Sequence, residues 1–188
     1  MLISPKDELT TVFETVKHEI HRATLDKKHP FRFVVLSTFG SSISSRYVVL
    51  RKVSENFHPI IYTDLRSQKV GDIRSHKSIQ LLFYHPQKRA QVVVSGEAVL
   101  HHKTDFAKSY WKNVQGEAQK SYTTIKAPGE VIDHPEEAYE WQENMNSDFF
   151  AVIEIVPNTI EVLQLNKSTH LRAQFHKDRD WSGEWMVP

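Results

Sequence analysis

Apolar and polar positions change period several times along the chain, and each change marks an element. Leu9, Val12, Phe13, Val16, Ile20 and Ala23 recur at helical spacing and form one apolar face. The predicted helix opens at Ser4-Pro5, with a capping hydroxyl, proline at the first helical position and Asp7 in the first turn. It ends near Lys27, because His29 precedes Pro30 and is pushed from helical angles. β-Branched and aromatic runs then predict strands over residues 31–38, 46–53, 60–63, 78–84 and 91–100. Residues 40–45 (GSSISS) read as a turn, and Gly96 inside a strand run marks a bulge or a close backbone approach. A short helix follows Asp64 to Ser67, with Val70 and Ile73 on its buried side.

The second half reads differently. Residues 103–114 are helical by pattern, 115–129 form a polar loop, and His134-Pro135 opens a helix reaching Met145. Four closing strands are expected over residues 149–156, 159–165, 169–176 and 181–186, with Pro157-Asn158 as a tight turn. Short strands without regular intervening helices predict a mainly β, antiparallel barrel or sandwich with flanking helices, as one domain over residues 1–188. A parallel doubly wound sheet does not fit, and no GxGxxG or Walker-type glycine loop occurs.

Composition narrows the function classes. A chain of 188 residues, 39% hydrophobic and 25% charged, has the make-up of one globular domain. Its net charge of +1 argues against a nucleic-acid binder, so any anion site must be local. No apolar run is long enough to cross a membrane, and the N-terminus lacks the apolar stretch of a signal peptide. With no cysteine there is no thiolate chemistry, which suits a cytoplasmic setting. His101 and His102 are adjacent and point apart on a strand, and with no HxH or HExxH pattern no metal site is expected. No serine–histidine–acid or paired-carboxylate arrangement stands out for hydrolysis.

One local anion site is conceivable in the central stretch. Arg46 and Arg51 bracket a strand, while Ser67 and Lys69 open a helix whose free N–H groups favour a phosphate. Thr63 offers a hydroxyl, and Arg66 or Gln68 further donors. Arg46 and Arg51 are five positions apart, so an ideal strand points them to opposite faces unless a bulge realigns them. By spacing alone these side chains also read as solvated surface cations at strand ends.

The order of pieces carries more. Arg46-Tyr47-Val48-Val49-Leu50-Arg51, Tyr62-Thr63, Ser67-Gln68-Lys69, Leu81-Leu82-Phe83-Tyr84 and Gln91-Val92-Val93-Val94 succeed one another in register. This stretch resembles the pyridoxamine 5′-phosphate oxidase family of FMN-binding split barrels. The resemblance implies an antiparallel split β-barrel holding FMN without a covalent bond. It assigns the phosphate to Arg46, Ser67 and Lys69 with Thr63 nearby, the ring to the backbone of Val48, Val49 and Leu50 and to Gln91, and places Tyr62 and Gln68 among the other cofactor-binding positions. Arg51 stands at the border of flavin and substrate, with Tyr110, His170 and Arg172 on the substrate side. It further implies a homodimer with flavin sites at the interface.

Departures from the family pattern bear on the reaction. Gln68 stands where a second basic residue is usual, Leu163 where a tryptophan is, and Val114 where an arginine follows the substrate tyrosine. His170, Arg172 and Gln174 occupy the places of arginine, histidine and arginine. These changes point away from a vitamin B6 phosphate as substrate. The expected function is an FMN-dependent oxidoreductase acting on another small molecule, the alternative being a non-catalytic flavin carrier or sensor.

Overall fold

The computed structural model describes residues 1–166 and 169–188. Its eight strands are β1 (Phe33–Phe39), β2 (Ile43–Val53), β3 (Pro59–Asp64), β4 (Ser78–His85), β5 (Ala90–His102), β6 (Phe150–Gln164), β7 (Leu171–His176) and β8 (Ser182–Met186). Three α-helices accompany them: α1 (Leu9–Leu25), α2 (Gln68–Ser75) and α3 (Asp105–Trp111). The strands run in the order β3-β2-β1-β4-β5-β6, and β3 pairs again with β6, so six strands close a ring. Strands β7 and β8 continue outward from β6. Every pairing is antiparallel. The fold is the expected mainly β, antiparallel split barrel with flanking helices.

Strand β6 explains how the ring both closes and splits. Its first residues, Phe150 to Glu154, pair with β3, while Thr159 to Gln164 pair with β7 on the same side. Pro157 falls in the gap between these partners, where neither β3 nor β7 has a residue opposite it. The sequence expectation of a turn at Pro157-Asn158 is therefore corrected: one long strand passes through. Opposite, the register of β5 shifts between Ser95 and Gly96. A Cβ on Gly96 would lie 2.1 Å from the Val156 carbonyl oxygen, so the close approach read from the sequence is real.

Two apolar clusters result. The barrel interior is filled by residues such as Val34, Leu36, Leu50, Phe83, Val92 and Ile153, and α1 seals one side with Val12, Val16, Ile20 and Ala23. A smaller cluster joins Ile60, Phe150 and Val152 to Ala107 of α3, Val114 and Tyr122. Helix α1 starts later than Ser4-Pro5 predicts, because Asp7 accepts the Ser4 N–H (2.7 Å) and makes that segment a turn. The helix expected to reach Met145 shortens to a single-turn 3₁₀ segment, Pro135–Tyr139, and Trp141 instead bridges to Thr124.

Candidate functional site

The site begins where two neighbouring strands part. Strand β2 pairs with β3 only at Leu50, Lys52 and Val53, whereas β1 accompanies it from Ile43 to Val49. Among the described residues, β2 therefore has no strand partner from Ile43 to Val49 on the side away from β1. Strand β3 turns from β2 to β6, pairing through Tyr62, Thr63 and Asp64. A cleft of about 270 Å³ opens between them, and Ser67 and Lys69 at the start of α2 form one end.

The cleft brings together Arg46, Val48, Val49, Arg51, Tyr62, Thr63, Ser67 and Lys69. A register shift between Leu50 and Lys52 lets Arg46 and Arg51 share it despite their odd spacing. Leu50 turns its side chain into the barrel core, and the Gln68 side chain is exposed. Gln91 lies on β5, opposite Tyr84 and Leu163, outside the cleft. Tyr110 packs behind Tyr62 at 5.7 Å between ring centroids and faces a separate groove with Lys52 and His18. Arg172 donates to Glu161 (2.9 Å) on the outer sheet face, and exposed His170 accepts from the Asn166 N–H (3.0 Å).

At the α2 end, hydroxyls and cations are fixed by their neighbours. Ser67 Oγ donates to the Asp64 carbonyl (2.7 Å) and lies 3.1 Å from Thr63 Oγ1. Lys69 Nζ donates to Thr63 Oγ1 (3.2 Å). Arg46 donates to Thr38 Oγ1 (2.6 Å), which in turn donates to the buried Asp72 carboxylate (2.7 Å). Burial, and then Arg46, push the Lys69 ammonium below its ordinary value, with Asp64 and Asp72 opposing. Burial likewise lowers the Arg46 guanidinium against the pull of Asp72. Two cations held at the expense of their solvation, beside two hydroxyls and a helix start, form a donor set suited to a phosphate monoester.

The other end is aromatic. Arg51 lies 5.5 Å from the Tyr62 ring centroid. The Tyr62 phenol is pushed up to about 12, by burial foremost. Ser121, Tyr122 and Pro128 reach over from the long connection after α3. The sequence offered no signal for these three, because nothing local ties that loop to the barrel. Arg66, named from sequence as a further donor, turns instead to Asp64 and to the carbonyls of Thr124 and Ile125.

Comparison with known proteins fits this geometry. Residues 11–102 match the family model described as the pyridoxamine 5′-phosphate oxidase FMN-binding domain. Over those residues, just under half of the chain, the sequence is similar to that domain. FMN, the cofactor expected from the sequence, is the one that domain binds. Among solved structures, a pyridoxamine 5′-phosphate oxidase-related FMN-binding protein from Nostoc punctiforme superposes with a TM-score of 0.78 over 100% of both chains, at 19% identity. PhzG from Burkholderia lata, solved with tetrahydrophenazine-1-carboxylic acid, gives 0.74 over 98% of this chain and 95% of its own, at 18% identity. General stress protein 26 from Bacillus anthracis gives 0.51 over 80% of this chain and 98% of its own, at 20% identity. At such identities the likeness shows the fold. No curated protein matches by sequence.

Two side-chain clusters lie outside the cleft. Glu154 accepts from His58 (2.7 Å) and His101 (2.8 Å), one imidazole on each carboxylate oxygen. The buried trio Glu19, His29 and His85 has metal-ligand types within reach of one another. However, Lys88 Nζ already sits 2.6 Å from Glu19 Oε2. Both imidazoles also accept a backbone N–H at Nδ1, from Phe31 and Lys88. A metal-bound imidazole ordinarily donates from its second nitrogen, so the trio reads as a charge network fastening α1. Among the described residues, no helix is long and apolar enough to cross a membrane.

Proposed function

We propose that the chain, as one domain over residues 1–188, is a cytoplasmic FMN-dependent oxidoreductase that works as a homodimer on a small organic substrate. The observation carrying this reading is the gap between β2 and β3, which pairs a cationic, hydroxyl-lined end with an open strand edge. Arg46, Ser67 and Lys69, with Thr63, suit the FMN phosphate. The unpartnered edge of β2 along Val48, Val49 and Leu50 suits the hydrogen-bonding rim of the isoalloxazine. Bound FMN supplies the electron or hydride transfer. The protein's residues bind it, orient it and exclude water.

The dimer reading rests on the outer sheet face. Tyr47 (74% exposed) and Phe33 (59%) share it with Val35, Val49, Leu82 and Val93 in adjoining registers. Gln91, Leu163 and Arg172 continue the same row. Tyr47 and Val49 belong to both this face and the cleft. A second copy seated here would wall the cleft and bring its own Gln91 and Arg172 toward the flavin. An apolar face of this extent fits a protein partner rather than a nucleic acid.

The substrate differs from a B6 phosphate in this reading. Val114 is buried in the smaller apolar cluster and Arg172 is held by Glu161, which leaves Arg51 as the cation nearest the aromatic end. A polycyclic organic acid, such as the tetrahydrophenazine-1-carboxylic acid PhzG is solved with, suits one guanidinium between aromatic rings. The same losses favour, as a second reading, a flavin carrier or sensor without turnover. The test is purification followed by anaerobic mixing with nicotinamide and organic donors, pyridoxamine phosphate included. A yellow protein whose flavin is reduced supports the enzyme; bound flavin that no donor reduces supports the carrier. A colourless protein that takes up no added FMN overturns both.

A further inference from the structure

The connection between α3 and β6 makes one wall of the cleft and packs Tyr122 on the barrel, yet its hydrogen bonds run mostly within itself. Ile125 N–H donates to the Glu140 carbonyl (2.9 Å), Gln142 N–H to Thr123 (3.0 Å), and the Trp141 indole to Lys120 (3.2 Å). Lys126 pairs with Glu137. These bonds tie residues 116–128 to 137–142 as a strap. Among the described residues, the one barrel side chain that bonds the main chain of 116–128 is Arg66. Its Nη1 donates to the Ile125 carbonyl (2.9 Å) and its Nη2 to the Thr124 carbonyl (2.9 Å).

Arg66 is itself held rigidly. Its Nε and Nη2 grip the two oxygens of Asp64 at 3.1 and 2.7 Å, and its own N–H donates to the same carboxylate (2.8 Å). The guanidinium lies 3.6 Å from the Phe149 ring centroid. Asp64 is buried at the end of β3, one position from Thr63 and three from Ser67. The strap is thus referenced to the same strand end that carries the cleft hydroxyls. What it delivers is Tyr122, buried against Phe150 (5.2 Å between centroids) and lining the cleft together with Arg51.

We propose that Arg66 is a positioning residue: it latches residues 116–128 over the cleft and thereby keeps Tyr122 in the cleft wall beside Arg51. The retention part of this idea rests on the reading of the cleft as the flavin site. Cofactor leaves when the latch opens, and a planar fork is required because one side chain must serve two carboxylate oxygens and two carbonyls. A lysine at this position offers a point charge and cannot bridge them.

Arg66→Gln and Arg66→Lys test it with two measurements on the full chain. Amide hydrogen exchange needs no flavin, and in both variants exchange at residues 116–128 rises about tenfold or more, the loss of a charged hydrogen bond, while strand amides of β1, β4 and β5 keep wild-type rates. On FMN-loaded protein, flavin fluorescence reports a release rate raised by about the same factor, with association near wild type. Unchanged exchange at 116–128 overturns the latch. Faster exchange across the strands as well reduces Arg66 to a general structural role and also overturns it. Rescue by lysine, or loosened exchange with unaltered FMN release, overturns the positioning role. Should the wild type take up no FMN, the flavin reading falls and the exchange measurement still decides the latch.

Discussion

Lys69→Met separates a ligand role from a structural one, because the two effects have opposite signs. In the free protein Lys69 is held below its ordinary value, first by burial and then by Arg46. The folded chain therefore binds this proton less readily than the unfolded chain, and its stability rises with pH between the lowered value and 10.5. Removing the ammonium abolishes that slope and leaves the flavin-free protein at least as stable as wild type at neutral pH. If the cleft holds FMN as proposed, the same change deletes a charged donor to its phosphate, one that Thr63 holds in place at 3.2 Å. Such a bond contributes about 1.5–3 kcal/mol, or about 10- to 150-fold in Kd. Flavin fluorescence quenching at fixed ionic strength measures the affinity, and chemical denaturation with and without FMN measures the stability. A variant that binds FMN as wild type does, yet unfolds more easily, would show Lys69 to be a structural cation and refute the argument.

Gly96→Ala places a methyl group 2.1 Å from the Val156 carbonyl oxygen and 2.8 Å from Pro157 Cα, both main-chain atoms. A loss of about 3 kcal/mol is expected in urea denaturation; wild-type stability would mean that β5 and β6 can separate there. Glu19→Gln strips a buried carboxylate from Lys88, Arg22 and His29. Because Lys88 and Arg22 are 30% and 48% exposed, about 2 kcal/mol is expected rather than the full penalty of a broken buried pair. Burial opposes ionisation of Glu19, but Lys88, Arg22 and His29 together hold it below its ordinary value, so its contribution is present above 4.5 and fades as pH falls through the lowered value. His85 is lowered by burial and then Lys88, so folding also weakens as pH drops below 6.5. Melting curves from pH 7 to 4 should show both effects, and a flat profile would remove the network as the fastening of α1. Tyr47→Arg on the exposed outer face should convert the proposed dimer to a monomer in sedimentation; an unchanged dimer would move the interface elsewhere.

Much of the barrel was legible in the sequence because strand runs and turn residues are local signals. The runs that became β1 to β5, and the helix after Ser67, follow from β-branched density and apolar spacing within a few residues. Elements that failed did so for nonlocal reasons. Pro157 breaks a strand by itself, yet here it sits between β3 and β7, partners brought together from both ends of the chain. The segment near Trp141 has helical spacing but spends its bonds on Thr123 and Lys120.

The sequence by itself determined the chemistry available: cations and hydroxyls grouped between Arg46 and Lys69, no cysteine, and a near-neutral charge balance under which any anion site must be local. Only the tertiary structure decided how that group is used. The register shift after Leu50 puts Arg46 and Arg51 in one cleft, which no strand periodicity permits. The parting of β2 and β3 creates the open edge, and the return of β3 to β6 makes it permanent. Arg66 shows the difference most plainly. Three residues from Lys69, it looks like one more phosphate cation, but Asp64 and Phe149 turn it toward the carbonyls of Thr124 and Ile125. Residue type is written in the chain; the direction a side chain takes depends on partners that sequence spacing does not place.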